Sequence, residues 1–197
     1  MTNTTNKIAL IAAMDSKGGI GYQGGMPWHN RDELRHFRMA TTGRVLIVGS
    51  RTADSLINLQ GDFEDKVYSP EEQIVLKGRK IIVVTSKAHV REYVRLGLYV
   101  ERSLEDAITK AVELRGEDDT QAIYLAGGGM LYKEALEKDL ISTMLLSSIH
   151  DGHLCDTFFP EFDRDAWIAY EMLIEPTFTV NLYTKKETQD EPALYSS

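Results

Sequence analysis

One carboxylate near the start of the chain shares a face of a predicted helix with apolar side chains. Glu33 and Phe37 are four residues apart, and Leu34 lies beside them on the face that must look toward apolar surroundings. Burial there would raise the pKa of Glu33, which makes it a candidate to handle a proton or anchor a ligand. A structural alternative fits the same spacing, with Asn30 as N-cap, Glu33 as its capping-box partner and Asp32 serving the helix dipole. Spacing alone favours this alternative.

Two glycine clusters could bring the backbone close to a ligand. Residues 19–24 (GIGYQG) match the spacing of dinucleotide-binding turns, but residues 15–17 separate them from the preceding strand. Residues 26–28 (MPW) then follow where such a turn needs a helix. We therefore interpret residues 15–25 as a glycine-rich lid whose backbone can absorb a closing movement. Residues 127–129 (GGG) lie between a strand and a helix, and are either a phosphate site at a helix N-terminus or a tight turn without a ligand.

Residues 150–156 (HDGHLCD) contain side chains that can bind a metal ion. The neighbouring strand and Gly152 indicate a turn instead, and no second ligand pair such as C-x-x-C occurs in the chain. We predict no metal site. The chain also lacks the Gly-x-Ser-x-Gly elbow and the P-loop, so hydrolase and kinase chemistries have no support.

The elements that must position these residues alternate between apolar strands and helices. Strands are predicted at residues 8–13, 45–48, 81–84, 122–126 and 143–149, and helices at residues 32–40, 103–114 and 130–137. Continuous apolar strands alternating with helices are typical of a mostly parallel sheet that is buried on both faces. Two further strands at residues 167–174 and 178–186 flank a proline turn and predict a C-terminal antiparallel hairpin.

The fold class is therefore a single α/β domain with a mixed, mostly parallel sheet flanked by helices. We assign the whole chain, residues 1–197, to this domain, with the core at about 7–187. Residues 58–75 are predicted as an inserted surface loop, because Asn58–Pro70 is polar and acidic with little periodicity. Residues 188–197 are predicted as a flexible tail.

Composition limits the partners of the protein. A formal net charge of −8 argues against nucleic acid, and no apolar run approaches the ~20 residues of a membrane span. The single cysteine, Cys155, fits a reducing compartment, and the polar N-terminus predicts no signal peptide. We expect a cytoplasmic monomer that binds neither nucleic acid nor membrane.

Taken in chain order, these motifs resemble the dihydrofolate reductase family over residues 7–187. The matching segments are the strand at 9–13, Ile20-Gly21, 26–28 (MPW), Glu33 with Leu34 and Phe37, 48–52 (VGSRT), 76–80 (LKGRK) leading into 81–86, 127–129 with Tyr132, and 156–160 (DTFFP). Each motif is weak alone, but the full set in this order is very specific.

The resemblance implies reduction of 7,8-dihydrofolate to tetrahydrofolate, which supports one-carbon metabolism. NADPH would deliver hydride to C6, and N5 would be protonated through water. The implied catalytic residues are Glu33, Trp28 and Ser147, and the implied substrate-binding residues are Ala12, Leu34, Phe37, Leu56 and Arg79. Glu33 would pair with the 2-amino group and N3 of the pterin, and Ser147 would hydrogen-bond Glu33. Arg79 would hold the substrate's α-carboxylate as a bidentate fork, and antifolate inhibitors would bind in the same site.

The resemblance also implies a set of cofactor-binding residues. They are Ala13, Ile20, Gly49, Arg51, Thr52, Thr85, Ser86, Lys87, Ala126, Gly127, Gly128, Gly129, Met130, Leu131 and Tyr132. Ser50 and Met130 stand where the family often has a basic residue, so Arg51 and Lys87 are expected to hold the 2′-phosphate of NADPH. Asp156 would accept hydrogen bonds from the backbone of the lid.

Two alternatives remain open at this point. The reductase of riboflavin synthesis shares this fold and NADPH but reduces a ribosylamino-pyrimidine, and that family lacks a carboxylate at the position of Glu33. The other alternative is a binding protein that has lost catalysis, which an absence of NADPH oxidation with dihydrofolate would support.

Overall fold

The apolar strands assemble into one eight-stranded sheet. The computed structural model describes residues 8–61, 66–87, 90–118 and 120–186. The sheet contains β1 (Ile8–Met14), β3 (Val45–Gly49), β4 (Lys80–Val84), β5 (Tyr99–Glu101), β6 (Ile123–Leu125), β7 (Ile141–Ile149), β9 (Trp167–Ile174) and β10 (Phe178–Lys185). Its strand order is β5-β4-β3-β6-β1-β7-β10-β9, and a separate small sheet pairs β2 (Gly19–Gly21) with β8 (Thr157–Phe158).

The predicted mixed sheet is confirmed. Strands β5, β4, β3, β6, β1 and β7 pair in parallel, while β10 pairs antiparallel with both β7 and β9. Five helices accompany the sheet in the described residues: α1 (Arg31–Thr41), α2 (Ser50–Gln60), α3 (Arg91–Arg95), α4 (Leu104–Arg115) and α5 (Gly129–Glu137). None of these described helices is long and apolar enough to cross a membrane.

Side chains of β3 pack in hydrophobic clusters on both faces of the sheet. In β3, Val45 and Ile47 pack in the cluster that contains α4 and α5. The alternating residues Leu46 and Val48 pack with α2 and α3 on the opposite face. This double burial explains why the parallel strands have continuous apolar sequences.

Within residues 58–75, predicted as an inserted surface loop, most of the described residues are exposed and lie outside helices and strands, but the first residues and several side chains differ from the prediction. Residues 58–60 end α2, because Ala53, Leu56 and Ile57 have helical spacing and pack against the sheet. Further along, Tyr68 is 6% and Val75 1% exposed, so the segment is partly core. Residues 62–65 lie outside the described part of the chain.

A buried glutamine ties this segment to the sheet. The Gln73 side chain is 5% exposed, and its Nε2 donates to the carbonyls of Val75 at 2.7 Å and Arg79 at 3.0 Å. Its Oε1 accepts from the N–H of Ile81 at 3.3 Å. The polar group is thereby satisfied in the interior, and it holds the chain that leads from Val75 to Arg79.

Candidate active site

A crevice is expected where the path of the chain reverses across the sheet. From β1 the chain crosses to β3, β4 and β5 on one side and returns through β6 to β7 on the other. In open α/β sheets ligands bind beyond the carboxyl ends of the strands at such a reversal. The predicted site residues lie at these ends: Ala12 and Ala13 in β1, Gly49 in β3, Thr85 after β4, Ala126 after β6 and Ser147 in β7.

Glu33 is buried in the first turn of α1 and faces β7. It is 4% exposed; burial raises its pKa above the ordinary value, and a hydrogen bond from the Ser147 hydroxyl partly opposes this rise. Asn30 does cap the helix, because its Oδ1 accepts from the N–H groups of Asp32 at 3.2 Å and Glu33 at 3.1 Å. Among the described residues no hydrogen bond joins the Asn30 N–H to the Glu33 carboxyl, so Glu33 does not close a capping box. Asp32 in the same turn is exposed.

The other residues predicted for the substrate side of the site are mainly apolar. Trp28 is 8% and Ser147 3% exposed, and Leu34, Phe37 and Leu56 are half-buried. The indole Nε1 of Trp28 is buried without a partner among the described residues, so it can donate to a bound ligand. By contrast, Ala12 packs into the cluster on the opposite face, which leaves only its backbone to face this side of the sheet.

The Arg79 guanidinium is buried among neutral acceptors. Its Nε donates to Thr41 Oγ1 at 2.8 Å, and its other nitrogens donate to the carbonyls of Leu76, Lys77 and Arg38 and to Thr42 Oγ1 at 3.1–3.4 Å. Burial lowers the pKa of Arg79, and the charge of Arg38 adds to this effect. No described carboxylate balances the charge, so the position suits an anionic group of a ligand.

Two helices begin at the crevice without a side-chain cap. α2 starts after Gly49 and α5 after Gly128, and neither has a side-chain cap, whereas Ser103 caps α4 with its Oγ. Gly49 donates its N–H to the carbonyl of Gly127 at 3.1 Å, which brings the two helix starts together. Free N–H groups at paired helix N-termini favour a phosphate-bearing ligand.

Glycine is required at one position of this turn. Gly127 has a φ of +152°, and a Cβ there would lie 2.5 Å from Cγ2 and 2.7 Å from Oγ1 of Thr52. The Thr52 hydroxyl is therefore held directly against the glycine turn. These groups fit the pyrophosphate of a dinucleotide such as NADPH.

The predicted lid, residues 15–25, is held by backbone pairing and by a carboxylate. Gly19 and Gly21 in β2 pair with Phe158 and Thr157 in β8, so the glycines open a strand and not a helix. Asp156 Oδ2 accepts from the N–H of Gln23 at 2.8 Å, as expected. This backbone hydrogen bond, with others, lowers the pKa of Asp156.

Ile20 joins the lid to the first turn of α5. A Cβ on Gly129 would lie 3.6 Å from Ile20 Cδ1, so the two residues face each other. Leu131 and Tyr132, one turn further into α5, are buried in the core, and the Tyr132 hydroxyl donates to the carbonyl of Ile11 at 2.8 Å. Met130, in contrast, is 78% exposed.

The expected 2′-phosphate residues differ in their surroundings. Arg51 is exposed in the first turn of α2. Lys87 also is exposed, but its Nζ lies 3.5 Å from Asp54 Oδ2, so a carboxylate competes for its charge. Thr85 is 5% exposed and Ser86 is exposed, and Thr85 Oγ1 accepts from the N–H of Lys87 at 3.2 Å.

Arg102, which is not among the residues predicted from the sequence, also lies at this end of the site. Its Nη1 donates to the carbonyls of Thr85 at 3.1 Å and Lys87 at 2.5 Å, so the guanidinium lies beside the β4 end. The signal was an arginine directly after a strand end, but β5 has only three residues and was not predicted.

The polar residues at 150–156 have separate partners. His150 places Nδ1 3.0 Å from the Pro176 carbonyl and Nε2 3.0 Å from Thr179 Oγ1. Within the described ranges, no group of three His, Cys, Asp or Glu side chains could hold a metal ion.

Comparison with known proteins adds an independent finding. A family model described as dihydrofolate reductase matches residues 7–62 and 66–179. The dihydrofolate reductase HdrB of Haloferax volcanii is 26% identical over 92% of this chain and 84% of its own. The dihydrofolate reductase of Aedes albopictus is 30% identical over 81% of this chain and 82% of its own.

A solved structure shares the fold. Dihydrofolate reductase from Enterococcus faecalis, complexed with NADP(H) and RAB-propyl, matches with a TM-score of 0.68 and 23% identity over 93% of this chain and 98% of that chain. At this identity the likeness concerns the fold.

The raised pKa of Glu33 predicts a stability gain on neutralisation. A folded-state pKa above the unfolded value means that stability falls as pH rises between the two values, and the full cost is present above the folded pKa. Glu33→Gln should therefore melt at a higher temperature than the wild type at pH 7, and the difference should shrink as pH falls below the ordinary glutamate pKa. Thermal unfolding across pH measures this, at about 2–4 °C per kcal/mol for a chain of this length. Asp32→Asn is the control in the same turn, and a Glu33→Gln protein less stable than wild type at pH 7 would contradict the assignment.

The hydrogen bond from the Gln23 N–H to Asp156 predicts that loss of this carboxylate makes the lid open more often. Asp156→Ala removes the acceptor of the Gln23 N–H, so hydrogen exchange of the amides at residues 15–25 should accelerate while the sheet stays protected. Asp163→Ala is the matched control, because Asp163 caps only its own turn through the N–H of Asp165. Unchanged exchange at Gln23 would show that the carboxylate does not hold the lid.

Proposed function

Because the chain belongs to the dihydrofolate reductase family, we propose that Glu33 is the carboxylate with which it reduces 7,8-dihydrofolate to tetrahydrofolate. The observation that carries this assignment concerns the two acidic residues buried in the described chain, Asp15 and Glu33. Backbone N–H groups occupy both oxygens of Asp15. Within the described residues the Glu33 side chain has a hydrogen bond from Ser147 alone, so it remains available to a ligand.

Glu33 would bind the pterin through its 2-amino group and N3. A carboxylate that accepts two such hydrogen bonds fixes the plane and the direction of the ring. The apolar walls formed by Trp28, Leu34, Phe37 and Leu56 exclude bulk water and strengthen this contact. Glu33 would also favour protonation of N5 through water, and the buried Nε1 of Trp28 offers a donor beside it.

NADPH, when bound, supplies the hydride. The uncapped starts of α2 and α5, with Thr52 and the turn at 127–129, would hold its pyrophosphate. Ala13 and Ile20 would bracket the nicotinamide amide. The chain's own contribution is position, since near-attack alignment of bound reactants removes much of the barrier.

We further propose a cytoplasmic monomer whose partners are small molecules, including antifolates. The acidic charge and single cysteine support this, and the nucleic-acid and membrane classes find no support in the sequence.

Replacement of Glu33 tests the function directly. Glu33→Gln should lower kcat at neutral pH by roughly 10²–10⁴-fold, the usual effect of removing a positioned proton-handling group. The assay is NADPH oxidation with dihydrofolate, with circular dichroism to confirm the fold. Asp32→Asn, its exposed neighbour, should remain near wild type. Turnover of a ribosylamino-pyrimidine instead of dihydrofolate by the wild type would favour the riboflavin-type reductase.

Arg79 is tested by ligand truncation. Arg79→Lys retains the charge but loses the planar fork, and we expect weaker binding of dihydrofolate, at about 1.5–3 kcal/mol for each charge-assisted hydrogen bond lost. A pterin that lacks the glutamate moiety should bind both proteins equally. The lysine variant is preferred over alanine because Arg79 also ties α1 to Leu76 and Lys77, so truncation would cost stability. Equal weakening of both ligands would assign Arg79 a purely structural role.

The preference for NADPH over NADH should depend on Arg51 more than on Lys87. Asp54 already pairs with Lys87, whereas Arg51 is exposed in the first turn of α2. Arg51→Ala should lower the ratio of kcat/KM with NADPH to kcat/KM with NADH. Lys87→Ala should change this ratio less, and Asp54→Asn should raise it. The wild-type ratio should fall as ionic strength rises, because salt screens exposed charges. A ratio that none of these variants alters would place the 2′-phosphate elsewhere.

A further inference from the structure

The proposed function does not use the buried carboxylate of Asp15. Asp15 follows β1 directly, and its side chain is 3% exposed. Oδ1 accepts hydrogen bonds from the N–H groups of Lys17 at 2.9 Å and Gly19 at 2.7 Å. Oδ2 accepts from the N–H of His153 at 2.7 Å. One carboxylate therefore joins the first turn of the lid to the turn that precedes Asp156.

These hydrogen bonds favour the ionised form of Asp15. Burial by itself would raise the pKa, but the backbone N–H groups of His153, Gly19 and Lys17 together hold it below its ordinary value. The nearby His153 ring acts in the same direction. Hydrogen bonds from N–H groups to a carboxylate are roughly twice as strong as neutral ones.

His153 extends this connection to the far end of the lid. Its ring packs against the indole of Trp28, with the ring centroids 5.4 Å apart and the planes tilted by 54°. Trp28 is buried and follows the lid after Met26 and Pro27. The backbone of His153 is thus fixed by Asp15 while its side chain is fixed against Trp28.

We propose that Asp15 is a positioning residue for hydride transfer, which locks both ends of the closed lid with one carboxylate. It holds the start of the lid at Lys17 and Gly19, and through His153 it holds Trp28 at the end. Asp156 holds the middle at Gln23. The proposal rests on the proposed function, in which this lid closes over the nicotinamide.

An asparagine at this position tests the lock, because it keeps the size of the side chain but replaces one acceptor with a donor. Asp15→Asn should slow hydride transfer roughly 10–100-fold, since a small misplacement of the reacting groups can cost about 10²-fold. Single-turnover oxidation of NADPH, compared with the deuterated cofactor, isolates this step. The KM for dihydrofolate should remain unchanged, because Glu33 and Arg79 are untouched. Hydrogen exchange at the Gly19 and His153 amides should accelerate.

The matched control is Asp151→Asn. Asp151 lies exposed in the same turn, and its carboxylate makes no hydrogen bond within the part of the chain that the structure describes. Asp151→Asn removes the same charge as Asp15→Asn but breaks none of these hydrogen bonds. The rates of hydride transfer and of hydrogen exchange should therefore match those of the wild type.

Two variants of His153 test the link to Trp28 and remain informative if Asp15→Asn does not fold. His153→Ala should slow hydride transfer, whereas His153→Phe should restore it, because an aromatic ring and the backbone N–H are both retained. An equal loss in the two variants would overturn the proposal, since the imidazole itself would then be required. Normal hydride transfer in Asp15→Asn, despite faster exchange at Gly19, would also overturn it. If the wild type oxidises no NADPH with dihydrofolate, the proposed function fails, and the exchange rates in Asp15→Asn still decide whether the lock exists.

Discussion

The burial of Glu33, with no cation beside it in the described part of the chain, is the constraint on which the candidate site depends. Burial raises its pKa, and the Ser147 hydroxyl and the N-terminus of α1 stabilise its charge. Asn30 accepts from two N–H groups of the first turn, and the Glu33 side chain does not return to the Asn30 N–H but hydrogen-bonds Ser147 in β7. A carboxyl group held in this way costs stability in the free protein, and that cost is recovered when a ligand supplies matching donors.

The helices of the protein differ in whether a side chain caps their N-terminus, and two uncapped helices begin at the candidate phosphate-binding side of the crevice. α1 and α4 have side-chain caps from Asn30 and Ser103, whereas α2 and α5 begin after Gly49 and Gly128 with none. Backbone N–H groups therefore supply local positive potential in a protein whose formal net charge is −8. Glycine is required at residue 127 of this arrangement, because a Cβ there would lie 2.5 Å from Cγ2 of Thr52 in the first turn of α2.

The lid is attached by a few specific contacts and not by a large apolar interface. The pairing of β2 with β8 covers two or three residues on each side, and Asp156, Asp15 and backbone hydrogen bonds from Ser16, Asp156 and Phe159 add further polar contacts. Segments held by few contacts open at low free energy, which suits a segment that must admit and release a cofactor. The carboxylates make the closed position specific, because each accepts from defined backbone N–H groups.

The sequence alone determined the features that depend on local pattern. Continuous apolar runs predicted the strands, the Asn30 and Ser103 caps marked helix starts, and the order of the motifs pointed to Glu33 as the candidate site carboxylate. Short or non-local features required the tertiary structure. β5 is too short to show periodicity, Tyr68 and Gln73 are buried within a segment that lacks helix or strand, and the partner of Lys87 is Asp54 in α2. Periodicity indicates which face of an element is apolar, but it does not indicate which other elements that face contacts. The contacts of Arg79, Arg102 and Asp15 join segments that are distant in the sequence, so only the tertiary structure could reveal them.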